Sequence, residues 1–129
     1  MKKLITITLT LFLLTGCGNT ITCKTKKGDI REIYKIKYSD NTVTNLKITK
    51  TYKFDNKTDF KKYEPTMKYY TTINSENVKT TYKKKNKKYI LTQIYNTQEL
   101  TEEELTKYGL SKNKEELVED LKNSGLTCK

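Results

Sequence analysis

The chain has no histidine, no tryptophan and no alanine, and only one proline and one arginine among its 129 residues. Without histidine, neither a Ser-His nor a Cys-His nucleophile pair nor a His-based zinc site can be assembled. A glycine-rich phosphate loop is also missing. Asp55 and Asp59 stand four apart, but Asn56-Lys57-Thr58 between them and the lack of a glutamate at the twelfth loop position depart from a calcium loop. They are expected to be solvated acids at a helix start near Asn56. No pair of carboxylates faces a recognisable cleft, so the chain is expected not to be an enzyme and to hold no metal and no cofactor. Alanine, proline and most arginine codons are rich in G and C, so their scarcity beside 25 lysines points to a low-GC genome. Part of the positive charge then has an account in codon bias, beside one in selection for a partner.

What is present begins at the N-terminus. Met1-Lys2-Lys3 is a short basic start, and Leu4 to Leu14 is an apolar run whose polar members are three threonines. It is too short to cross a bilayer, which takes about 20 helical residues, and it reads as the centre of an export signal. Leu14-Thr15-Gly16-Cys17 follows directly and has the bacterial lipobox pattern of an aliphatic residue, two small residues and cysteine. The small residues admit the chain to a peptidase in extended form, and the Cys17 thiol receives the diacylglycerol, with palmitate among the expected fatty acids. The expected organisation is a signal peptide over 1–16, a lipidated tether over 17–22 and one domain over 23–129, on the outer face of the bacterial cytoplasmic membrane. An ordinary signal peptide followed by an incidental cysteine is the alternative.

With Cys17 assigned to lipid, two cysteines remain in an oxidising compartment, where such pairs usually bond. Cys23 lies in Ile-Thr-Cys-Lys at the start of the domain and Cys128 in Leu-Thr-Cys-Lys at its end. A disulfide Cys23–Cys128 is expected, with two free thiols as the alternative. Such a staple suits the composition. Apolar and tyrosine residues make up 35 of the 113 residues from Cys17 onward, and ten of them are tyrosines. A core that thin gives modest stability by itself.

Hydrophobic periodicity then sets the elements. Ile30, Tyr34, Ile36 and Tyr38 share one phase of a two-residue period and Arg31, Lys35 and Lys37 the other; Leu46, Ile48, Tyr52 and Phe54 continue it after a turn at Ser39-Asp40-Asn41-Thr42. Phe60, Tyr63, Met67 and Tyr70 form a helical stripe, and Pro65 within it predicts a kinked or broken helix between Asn56 and Thr72. A second hairpin is predicted over 77–96, turning at Lys83-Lys84-Lys85-Asn86-Lys87-Lys88. Thr101 and Glu104 make a capping box with Leu100 and Leu105 as its staple. A last helix over about 112–123 carries Leu117, Val118 and Leu121 and ends at Gly125. The fold class is α+β: an antiparallel sheet of two hairpins plus an N-terminal strand, packed on one face by the kinked or broken helix and two C-terminal helices.

This order, from ITCKTKKGDIREIYKIKYSDNTVTNLKITKTYKF to EELVEDLKNSGLTCK, resembles the YehR-like family of small bacterial lipoproteins over nearly all of the domain. The resemblance implies an α+β fold with an antiparallel sheet and no established activity, so no catalytic residue is carried over. Charge is the remaining functional signal. From Cys17 to Tyr95 the side chains sum to +12, and from Asn96 to Asn123 to −4. Lys83, Lys84, Lys85, Lys87 and Lys88 are expected to touch anionic headgroups or wall polymers, not nucleic acid, on a monomer held to the membrane by its lipid. The leading expectation is a non-enzymatic binding or structural module with a basic sheet surface. A small inhibitor-type or solute-binding lipoprotein is the second.

Overall fold

The computed structural model describes residues 19–72 and 74–129. The expected signal peptide and Cys17 lie outside the described residues. Six strands form one antiparallel sheet: β1 (Thr20–Lys27), β2 (Ile30–Ser39), β3 (Thr42–Lys53), β4 (Val78–Lys85), β5 (Lys88–Tyr95) and β6 (Thr127–Cys128). Their spatial order is β4-β5-β3-β2-β1-β6. Helix α1 (Lys57–Thr71) joins β3 to β4, so β3 and β4 run parallel with β5 between them. A short 3-10 turn (Thr97–Glu99) and helices α2 (Glu102–Tyr108) and α3 (Lys114–Asn123) carry the chain from β5 to β6 at the other edge. The α+β expectation holds.

The register shows why one sheet face is covered. Ile21, Ile36, Leu46, Tyr95 and Val78 stand opposite one another in a row across five strands, and Cys23, Tyr34, Ile48, Gln93 and Thr80 form the next row on the same face. Pleating puts every second residue on one side. These rows meet Leu100, Leu105, Leu117 and Leu121 in one core cluster. A second cluster, under α1, gathers Met67, Tyr89 and Leu91 with Phe54, Phe60, Tyr63 and Tyr82 around them. The Tyr89 ring stacks on Phe60 at 4.3 Å between centroids, and its hydroxyl donates to the Phe60 carbonyl. Both clusters lie on the same side of the sheet.

Three expectations change. The segment around Pro65 is one unbroken helix over 57–71, not a broken one. Proline withholds a single backbone donor, and both Pro65 and Lys61, whose carbonyl loses that partner, are exposed to water. The Asn56 side chain caps the helix start by accepting from the Asp59 N–H at 2.8 Å, as expected of that position. The six-residue lysine turn is in fact two residues long. Asn86 and Lys87, both at positive φ (48° and 61°), make the turn, a pattern that matches the twist of a hairpin, and pairing runs out to Lys85 opposite Lys88. Solvated lysine stems are tolerated on an edge strand, so a run of them does not end it. Finally, Thr20 to Thr22, assigned to the tether, belong to β1 because they pair with Lys37, Ile36 and Lys35.

The C-terminal reading is matched closely. Thr101 accepts from the Glu104 N–H at 3.2 Å and the Glu104 carboxylate accepts from the Thr101 N–H at 3.1 Å. Leu100 and Leu105 are both buried, and Gly109 and Gly125 are left-handed at φ 69° and 98°.

Candidate functional site

The uncovered face of the sheet is made by the alternate residues of the same strands. One of its rows runs Thr22, Lys35, Lys47, Ile94, Lys79; the next runs Lys24, Ile33, Thr49, Thr92, Thr81; the third runs Lys26, Arg31, Thr51, Ile90, Lys83. Lys37 lies beyond the first row, and Lys53, Lys88 and Lys85 beyond the third. With Lys129, which pairs opposite Thr22 beside β1, twelve cationic side chains therefore share this face, and among the described residues no side-chain carboxylate stands in its rows. Asp29, in the β1–β2 turn, is at the rim, beside Lys26, Arg31 and Lys53. All fifteen carboxylates of the chain lie in turns, on the helices or, as with Glu32, on the covered face, and among the described residues two of them form ion pairs, Glu32 with Lys50 at 3.4 Å and Glu64 with Lys84 at 2.9 Å. The described part of the molecule is electrically two-sided, about +12 on the open face and about −3 elsewhere.

The five lysines singled out from the sequence are divided by this geometry. Lys83, Lys85 and Lys88 are on the open face. Lys84 turns to the covered side and pairs with the Glu64 carboxylate of α1 at 2.9 Å, and Lys87 donates to the Asp55 carbonyl at 3.2 Å. The Glu64 carboxyl, held by Lys84 and by the Tyr82 hydroxyl at 3.0 Å, lies below its ordinary pKa. The hairpin tip is also at the end of the sheet opposite the start of β1: the seven steps of about 3.3 Å from Thr20 to Lys27 span roughly 23 Å. Three of the five thus belong to a larger cationic cluster that spans the face. The signal that would have found the larger one is the two-residue alternation of Lys24 and Lys26, Lys35 and Lys37, and Lys83 and Lys85.

Cys23 and Cys128 face each other across β1 and β6 and are bonded, with Cα atoms 4.0 Å apart. The neighbouring pair Thr22 and Lys129 exchanges both backbone hydrogen bonds, at 3.0 and 2.9 Å, which leaves the cysteines in the narrow, non-hydrogen-bonded position of the ladder. Lys129 thus arrives on the open face and lines a shallow depression there with Thr22, Lys24, Ile33, Lys35 and Thr127.

On the covered face, a cleft of about 280 Å³ lies between the sheet and α3, with Tyr34, Gln93, Tyr95 and Asp120 in its wall. Burial, with Glu32 and Tyr95 adding to it, pushes the Tyr34 phenol up to about 12. Among the described residues, no group of three or more Cys, Asp or Glu side chains is placed to hold a metal ion, and no helix is long and apolar enough to cross a membrane.

The six-stranded antiparallel sheet with three helices is an α+β fold. A protein from Streptococcus pneumoniae TIGR4, solved by NMR, is similar to this chain with a TM-score of 0.55 and 16% identity over 87% of each chain. At that identity the likeness concerns the fold alone. No protein-family model matches the chain, and no curated protein does.

Proposed function

We propose that this chain is a lipid-anchored, non-enzymatic protein of the bacterial cell envelope whose uncovered sheet face binds an anionic surface or polymer outside the cytoplasmic membrane. The observation that carries the reading is the face itself, with twelve cations and, among the described residues, no carboxylate in its rows. Each lysine close to an anionic surface contributes roughly 1 kcal/mol, so even a few of them together amount to useful affinity. The lipobox at Leu14-Thr15-Gly16-Cys17, the paired Cys23 and Cys128 expected of an exported protein, and the resemblance to YehR-like lipoproteins all support the anchor. Three residues from Cys17 to Thr20 reach at most about 10 Å, so an anchored domain stays beside its membrane. Palmitate and diacylglycerol at Cys17, a monomeric state and the absence of a nucleic-acid partner belong to the same proposal.

The test has two arms. Cys17→Ser should leave the protein unprocessed or released from the membrane fraction, and normal processing and retention of that variant would reject the anchor. The mature chain should bind anionic vesicles or an anionic polymer with a strong dependence on salt, and salt-independent binding would reject the electrostatic face. The covered-face cleft is what favours the second reading, a solute-binding or inhibitor-type lipoprotein. At about 280 Å³ it is near the lower end of the roughly 300–1,000 Å³ typical of ligand pockets, and the concentration of charge is what favours the open face.

A further inference from the structure

We infer that the open face binds one chemical class of partner, a linear phosphodiester polymer without aromatic bases, laid across the strands along the row Ile33, Thr49, Thr92 and Thr81. The inference rests on the proposed reading that this face binds an anion, and three observations take it further.

The first is the distribution of charge along the strands. From Ile33 through Thr49 and Thr92 to Thr81 the middle row is neutral, with Lys24 closing it at its β1 end, and the rows on both sides of it carry Lys35, Lys47 and Lys79, and Lys26, Arg31 and Lys83. Adjacent rows on one face are two residues apart, about 6.7 Å, so the cationic rows are separated by about 13 Å. Threonine side chains are short and lysine stems long. The neutral row is therefore a floor between two cationic walls, and its hydroxyls can donate to phosphate oxygens.

The second observation is the number of strands. In sheets generally, strands rotate by roughly 20 to 25° from one to the next, so a sheet of six is expected to turn by roughly 100 to 125° from edge to edge. A planar bilayer touches only part of a face that is twisted this much. A flexible chain crossing the strands follows the twist and keeps both walls within reach.

The third is where the aromatic rings are. Tyr34, Tyr52, Tyr82, Tyr89 and Tyr95 all occupy the covered-face rows, and Tyr38 lies under Lys114 of α3 at 4.6 Å. Among the described residues no aromatic ring stands in the open-face rows. Single-stranded nucleic acids draw roughly 1 to 3 kcal/mol per base from stacking on such rings, and this face offers none. A polymer whose links are polyol phosphates loses nothing by their absence.

The experiment compares three probes on the mature chain: a poly(glycerol phosphate) of defined length, a single-stranded oligonucleotide with the same number of phosphates, and phosphatidylglycerol vesicles presenting the same phosphate concentration. The polyol-phosphate chain should bind tightest. A triple substitution of the walls, Arg31→Gln, Lys35→Gln and Lys47→Gln, should lower the slope of log affinity against log salt by about 2, because each phosphate that a cation neutralises on a single strand adds about 0.7 to it. The same number of neutralisations on α1, at Lys57, Lys61 and Lys62, should leave the slope unchanged. Lys47→Arg, which keeps the charge, should bind as the parent does and controls for folding. Tighter binding to vesicles, or an oligonucleotide that binds as well as the polyol phosphate, overturns this inference while the proposed function stands. Binding to none of the three overturns both.

Discussion

Lys83 and Lys84 are neighbours in sequence and serve opposite sides of the sheet. Lys84 forms a 2.9 Å ion pair with Glu64 beneath α1, whereas Lys83 lies opposite Ile90 on the uncovered face. One residue of register separates a structural cation from a surface one.

The pair with Glu64 makes the attachment of α1 sensitive to acid. Lys84 and then Tyr82 hold the Glu64 carboxyl below its ordinary value. A depressed carboxyl contributes stability that is present above the unfolded-state value and is lost as pH falls through the folded one. Glu64→Gln should therefore flatten the acid limb of a plot of urea midpoint against pH and leave the region above pH 6 nearly level. An acid limb identical to that of the parent would show that the pair does not hold α1.

The alkaline limb belongs in part to Tyr34. Its phenol is raised to about 12 by burial and, next, by Glu32 and Tyr95. A raised group stabilises fully below its unfolded value of about 10, and that contribution is lost as pH rises through about 12. Tyr34→Phe should shed part of the loss of stability over this window, read as the urea midpoint. A midpoint that falls with pH as steeply as the parent's would assign the effect to other tyrosines.

The disulfide closes 105 residues of sequence separation, for which the chain-entropy relation gives about 4.7 kcal/mol. Against a total of about 5 to 15 kcal/mol for a domain, its loss is large. Cys23→Ser with Cys128→Ser should lower the urea midpoint sharply while the β1–β5 sheet persists in circular dichroism, because β6 contributes only two residues to the ladder. An unchanged midpoint would mean that the two sulfurs are not bonded in the cell-derived protein.

Thr80 is buried with no hydrogen-bond partner for its hydroxyl among the described residues, although its backbone N–H donates to the Asn74 side chain at 2.6 Å. Thr80→Val keeps the shape and removes the unsatisfied group, so it should raise stability by about 1 kcal/mol. A lower melting temperature for the valine variant would point to a water held at that hydroxyl.

Periodicity and local capping made much of this fold legible without coordinates. The strands over 30–38 and 43–54, the capping box at Thr101 and Glu104, and the left-handed glycines at 109 and 125 depend on neighbours within a few residues, and such interactions are written in the order of side chains. Of the kinked or broken helix read from Pro65, the break is overturned, because whether a proline breaks a helix depends on what surrounds the freed carbonyl, and Lys61 is exposed. The lysine run misled because charge alone does not set register; the pairing of Lys85 with Lys88 does.

By itself, then, the sequence determined the α+β class, the element order, the expected pairing of Cys23 with Cys128 and an excess of lysine. Only the tertiary structure decided where that excess is displayed. All three helices cover one side, so each strand's alternation, repeated in register over five strands, adds small local biases of charge into one continuous cationic face. That sum depends on which strands are neighbours, and strand order is a property of long-range pairing that no local stretch of the chain contains.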